Sequence, residues 1–406
     1  MKNKTVQLGL RENAGLFSVL VLMSAFVGSM VGFERSLLPE LTKDWGLTEM
    51  EASLFMVAVF GLSKAIANLY TGKLIAESGR KRALIIGWIL ALQVPLILSN
   101  ASGGVGILLA NVALGLSQGV TWSTTVIMKI DIVGSAKRGT AMGLNESAGY
   151  LAVGIISALA AAYVDRTGNI QNVLYGAEAV VIGALLIAVF YLPETKPWVE
   201  LEAKEHPPVT PSEEKGIFHR TTWGDPELRR ITWAGIVNNA NDGVLWAVLP
   251  STLLAAGVPL AKVGLLIGTH AAVWGLGQLI TGPLSNSGRT STLIVWGMAT
   301  QAVSLISIPF FPEQFLPYAL LGAGTALVYP TFLVGISNHS HPSWRPRALS
   351  AYRFWRDMGY VIGAFLGYLA VRTNSDPWQS FTIIGVLTAV AGLPFINNFL
   401  NRKEHV

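Results

Sequence analysis

Apolar stretches of about twenty residues, each long enough to cross a hydrocarbon core of roughly 30 Å, recur from Leu16 to Phe399 with only short breaks between them. They number twelve, over residues 16–38, 51–71, 83–100, 104–128, 139–163, 174–192, 230–254, 261–281, 291–310, 314–337, 347–370 and 378–399. Their periodicity is helical throughout, so the fold class expected is an all-α membrane protein with twelve transmembrane helices. Charged residues make up 13% of the chain, about half the roughly 25% usual in soluble domains. The first run is longer than the core of a secretory signal and has no small-residue cleavage site before Glu34, so it reads as a retained helix.

The basic residues give an orientation, because Lys and Arg accumulate in cytoplasmic loops. Lys2, Lys4 and Arg11 precede the first span, and Lys73, Arg80, Lys81, Arg82, Lys137, Arg138, Arg289, Arg345 and Arg347 follow the second, fourth, eighth and tenth. The opposite loops hold little beyond Lys43, Arg166, Lys262 and Arg372. Both termini are expected in the cytoplasm, with the chain integral to a bacterial cytoplasmic (inner) membrane. This asymmetry accounts for the net charge of +5, so no nucleic-acid partner is implied. The expected partners are the lipid bilayer and a small-molecule substrate.

Between Pro193 and Arg230 the composition turns polar, with Glu200, Glu202, Glu205, Glu213, Glu214, Pro207, Pro208 and Pro211. That divides the chain into a first bundle (1–195), a flexible cytoplasmic linker (196–229) and a second bundle (230–406). The halves read as diverged copies. Gly32 to Pro39 matches Gly243 to Pro250, Thr71-Gly72 and Gly79-Arg80 match Thr281-Gly282 and Gly288-Arg289, and Gly149-Tyr150 matches Gly359-Tyr360.

Gly72, Glu77, Gly79, Arg80 and Arg82, together with the echo at Gly282 to Arg289, the twelve spans and the central loop, resemble the major facilitator superfamily of secondary transporters. The resemblance covers nearly the whole chain, with Glu77 in place of the usual Asp. It implies two pseudo-symmetric six-helix bundles around a central cavity, a monomer, and a conformational latch made by Gly72, Glu77, Gly79, Arg80, Arg82 and Asp131. Gly72 permits close helix approach, the acid meets a helix N-terminus, and the arginines pair with Asp131. Drug-antiporter signatures are degraded, since Gly115 stands where that subgroup has Arg before Gln118-Gly119, and Ala148 to Leu151 lacks a proline. The stretches Gln118 to Asp131, Arg138 to Tyr150 and Tyr352 to Tyr360 resemble a bacterial subgroup of unassigned substrate.

Ionisable side chains inside a span are costly and therefore candidates for substrate or proton binding. Asp242 lies mid-span among Asn238, Asn239 and Asn241, a patch that suggests an interrupted helix facing a cavity; Asn145-Glu146 lies in the fifth span. In the eleventh, Arg353 and Asp357 are four apart and are expected to pair, leaving Arg356 for Asp242 or Glu146. Glu34 and Arg35, near the end of the first span, are read as snorkelling or as an outer gate. Lys64 and Lys129 are read as snorkelling or interdomain contacts. Trp122 and Tyr329 are candidate pocket aromatics, and His270 stands alone in an apolar helix.

Cysteine is absent, which removes thiol chemistry and thiolate metal sites. No phosphate-cradling glycine loop is present, no metal cluster is expected, and no nucleophile, base and oxyanion set can be assembled. The chain is therefore read as no enzyme and as needing no cofactor. The function expected is secondary active transport of a small organic solute by alternating access, coupled to protons through Glu146 or Asp242, with sodium as the alternative ion. Drug-like efflux and organic-anion uptake both remain open. The alternative from another class is a membrane sensor or scaffold that signals through the central loop, which deletion of residues 200 to 225 would disable.

Overall fold

The computed structural model describes residues 6–41, 49–101, 103–208, 215–286, 289–373 and 376–397; Lys43, Glu213, Glu214 and the C-terminal tail lie outside them. Twelve long helices carry the chain: α1 (Ala14–Leu41), α2 (Glu49–Ser78), α3 (Arg80–Asn100), α4 (Gly104–Val133), α5 (Arg138–Thr167) and α6 (Ile170–Phe190), then α9 (Pro226–Ala255), α10 (Leu260–Ser285), α11 (Thr290–Ser307), α12 (Phe315–Asn338), α13 (Arg345–Arg372) and α14 (Trp378–Gly392). Between the two sets lie the short α7 (Lys196–Ala203) and α8 (Ile217–His219).

Among the described residues, nine of the twelve are apolar and long enough to cross a membrane by themselves. The three that fall short, α9, α11 and α13, include the two that carry the Asn238–Asp242 patch and the Arg353–Asp357 cluster. Large apolar side chains such as Phe190, Leu186, Leu279 and Ile280 face outward, an arrangement that suits hydrocarbon as the surrounding medium.

The packing repeats itself. In the first half α1 lies against α5, α2 and α3 against α4, and α3 against α6. In the second half α9 lies against α13, α10 and α11 against α12, and α11 against α14. Two seams join the halves, α2 with α13 and α5 with α10, and they are equivalent under the same correspondence. Each seam has one of the glycines matched in the sequence. A methyl on Gly72 would lie 2.8 Å from the Arg347 Cα, and one on Gly282 would lie 2.8 Å from the Gly143 Cα. Helices that close exclude any side chain at the crossing, and close backbone contact is what drives association where lipid removes the hydrophobic incentive.

Two expectations need correction here. Helix α9 is unbroken through Asp242, because Asn241 and Asn238 bond sideways to Gln301 of α11, and Thr388 of α14 donates to Asn241. Asn241 is satisfied between helices on both amide atoms and Asn238 on its oxygen, which leaves the backbone ladder intact. Nor is the linker uniformly loose. Helix α7 docks on the first half, with the Trp198 indole donating to Gln7 O (3.0 Å) and Asn13 Oδ1 (3.1 Å). After it, the turn at 217–224 runs directly into α9, which Asp225 caps by accepting from the amides of Glu227 and Leu228.

Candidate functional site

Polar groups concentrate at two levels, a seal at the linker end of the molecule and a charged centre deeper in. At the seal, Arg80 donates to Asp131 (2.9 Å), which also accepts from the Thr195 hydroxyl (2.7 Å). Gly79, at φ +85°, faces the Glu194 carboxylate, which accepts from the Lys81 amide in the first turn of α3. The acid at that helix N-terminus is thus Glu194. Glu77 sits exposed beside Lys73 at 3.8 Å, and Arg82 is also exposed.

One residue of the linker ties both halves together. Glu202 accepts two bonds from Arg345 at the start of α13 (2.8 and 2.9 Å) and one from Arg138 at the start of α5. Arg138 reaches on to Asn338 (2.8 Å), and Asn286 receives the Gly139 amide (2.7 Å). Burial alone would raise the Glu202 carboxyl, but the bonds and charge of Arg345 and Arg138 outweigh it and hold the group below its usual range.

Deeper in, at about 12 Å along α5 from its start by the rise of a helix, lies Glu146. Its carboxylate accepts from the Trp122 indole (3.1 and 3.0 Å) and Asn145 (2.7 Å), and meets Arg353 of the other half at 3.4 Å. Arg356, not Arg353, pairs with Asp357 (3.0 Å); it also reaches the Tyr150 hydroxyl (3.3 Å) and lies over the Tyr329 ring at 4.2 Å. Asp357 accepts from Asn68 of α2 (2.6 Å). Both carboxylates are therefore bound across the half boundary.

The lysines are here too. Lys129 donates to Asn145 (2.6 Å) and Ser24 (2.7 Å), while Lys64 holds its ammonium near the rings of Trp122 (5.2 Å), Phe60 (5.5 Å) and Tyr360 (6.0 Å). Snorkelling is excluded for both, since each is buried. Sequence reasoning undervalued them because position along a span does not give the face a side chain takes. Tyr150 was also passed over as a site residue; its ring lies tilted against Trp274 of α10, with centroids 3.8 Å apart, and joins Trp122 and Tyr329 in one cluster.

Asp242 lies apart from this centre, facing His270 of α10 at 3.4 Å. The separation is that of an ion pair without the alignment of a hydrogen bond, and neither carboxylate oxygen has a hydrogen-bond donor. Asn239 beside it has no partner on either amide atom. Glu34 and Arg35 are not brought to the centre. They meet each other at 3.7 Å, with Glu34 buried and Arg35 over the Phe60 ring of the same half.

The family model of the Major Facilitator Superfamily matches residues 17–238 and again 231–405. The chain belongs to the major facilitator superfamily. Membership assigns it to transport across a membrane, as an integral protein acting on small molecules. An uncharacterized MFS-type transporter of Pseudomonas aeruginosa is 24% identical over 401 residues, covering 94% of this chain and 93% of its own. A Bacillus subtilis protein named for metabolite transport, YwtG, is 22% identical over 341 residues, covering 79% and 70%. The human organic anion transporter MFSD10 superposes with a TM-score of 0.76 at 13% identity, over 94% of this chain and 99% of that one. The transporter FucP, in its outward conformation, superposes at 0.74 and 13%, over 93% and 97%. At such identity these two establish the shared fold.

Proposed function

We propose that this superfamily member is a proton-coupled secondary transporter that moves a small organic anion by alternating access. The observation that carries the reading is the charge balance of the centre. Lys64, Lys129, Arg353 and Arg356 are all buried, and the carboxylates within their reach are Glu146 and Asp357. Charge buried in a membrane protein needs a counter-charge. Arg353 has Nε and Nη1 without a hydrogen-bond partner, and Arg356 has Nε without one, so donors for a carboxylate or similar group are present where the halves meet. A cationic drug-like solute would meet this excess as repulsion.

The seams support alternating access. The linker end is closed by Glu202, Asn286 and the two glycine crossings, and its basic residues favour the cytoplasmic side of a bacterial inner membrane. The molecule is then closed inward, and its working unit is the monomer.

Proteoliposomes with an internal pH-sensitive dye, offered pooled organic acids and pooled amines, test the reading. Proton movement with an acid pool, reduced tenfold or more in Lys64→Met and Arg356→Lys, is expected. Movement with amines alone, or with no pool at all, overturns it. The scaffold alternative needs a narrower deletion than residues 200 to 225, because that one removes Glu202; deletion of 209–214 leaves the seal in place and should preserve flux.

A further inference from the structure

Of the two carboxylates that suit a proton-carrying role, Glu146 is fully engaged. Both its oxygens accept from Trp122, one also from Asn145, and Arg353 closes the set. A proton arriving there must displace donors from three helices. Asp242 presents the opposite case: a buried carboxylate with no donor on either oxygen and an imidazole 3.4 Å away that also has none.

We infer that Asp242 and His270 together form the proton-carrying site of this transporter, separate from the anion-binding centre at Glu146 and Arg356. The inference rests on the transport reading above and deepens it. The two residues belong to different helices of the second half, α9 and α10, which touch little along their length. Asn239, with both amide atoms unpartnered, lies one turn from Asp242 on α9. Three unpartnered polar side chains gathered at one level of the bundle cost too much to be packing, and they make a polar site for the exchangeable proton.

The other groups facing the pair are neutral or distant. Tyr360 of α13 and Tyr150 of α5 lie within electrostatic reach of Asp242. Trp274 of α10 lies tilted beside His270 and edge-on to Tyr329 of α12, and Gln301 of α11 and Thr388 of α14 are spent on Asn238 and Asn241. The cations of the centre engage elsewhere, Arg356 with Asp357 and Tyr150, and Lys64 of α2 with its aromatic rings. With one proton the pair is neutral, either as carboxylic acid beside imidazole or as carboxylate beside imidazolium. The proton comes from water on one face of the membrane, forms one O–H or N–H bond at the pair, and returns to water on the other face. Tyr150 adjoins both Arg356 and the Trp274 that lies beside His270, which gives the anion site a physical route to the proton site.

pH-difference infrared spectroscopy on the full-length protein in lipid reads the proton directly, without any substrate. The expected result is a carboxylic-acid band that titrates in the native protein and in Glu146→Gln, is missing from Asp242→Asn, and moves by at least one pH unit in His270→Gln. Asp242→Glu, which keeps the carboxyl, should retain a displaced band and controls for misfolding. A native spectrum unchanged in Asp242→Asn, or a band lost only in Glu146→Gln, overturns the inference. In proteoliposomes, exchange of the organic-acid pool at equal pH should survive Asp242→Asn, while accumulation driven by a pH gradient is lost. If the native protein exchanges no acid, the transport reading fails, and the infrared result still decides the fate of the pair.

Discussion

Among the described residues, Arg353 and Glu146 form the one charge pair at the centre that couples α5 to α13 directly, and each is almost wholly buried. Removing one member leaves the other charged and uncompensated. Arg353→Ala should therefore destabilise the closed protein by about 3 kcal/mol, read as a lowered unfolding temperature in detergent, and the double variant Arg353→Met with Glu146→Gln should recover much of it. At this scale the sequence identified the participants but not their partners. Arg353 and Asp357 are correctly spaced for one helical face, yet Arg353 finds Glu146 from a helix some two hundred positions away, and Asp357 takes its chain neighbour Arg356 with Asn68. His270 looked isolated for the same reason, since its companion is on another helix. Pairing between distant helices is a property of packing, which one sequence does not display.

The element of most consequence is α7, eight residues long, whose carboxylate joins arginines from both halves. Two guanidinium groups without Glu202 would repel each other in a buried position, so Glu202→Ala should open the linker end rather than merely loosen it. The check is alkylation of a single cysteine placed at Thr140, expected to rise severalfold in the Glu202 variant. Its pH dependence has a definite sign. A carboxyl held below its ordinary value contributes stability above the unfolded-state pKa and loses it as pH falls through the folded one. Thermal stability of the native protein should stay level through neutral and mildly acidic pH and drop as the pH falls below the ordinary carboxylate range, while Glu202→Gln should be less stable near neutrality and lose most of that dependence. The sequence offered six glutamates within residues 196–229, and nothing in their spacing marks Glu202 out. The short helix that aims it becomes visible only once Trp198 is seen docked on Gln7 and Asn13.

At the scale of the whole molecule, repetition was the most legible feature. The glycine matches at Gly72 and Gly282, and at Gly149 and Gly359, correspond to backbone crossings at equivalent seams and equivalent helix pairs, because small residues are the one thing a close crossing cannot do without. Which end is closed was not legible, since a state is a choice between packings of the same sequence. The contact between Thr140 and Asn286 (2.7 Å) offers a test. The chain has no cysteine of its own, so Thr140→Cys with Asn286→Cys should crosslink under mild oxidation, and the crosslink should abolish flux until it is reduced. A pair that crosslinks without loss of flux would show that the seam need not part during transport.

Glu202 precedes residues 209–214 and travels with the first half, whereas Arg345 comes long after them. The junction between the halves is therefore ionic before it is covalent. Two separately expressed polypeptides, 1–208 and 209–406, would each bring one side of the clip into the membrane and would meet in register there, as a split protein held together by the Glu202–Arg345 contact.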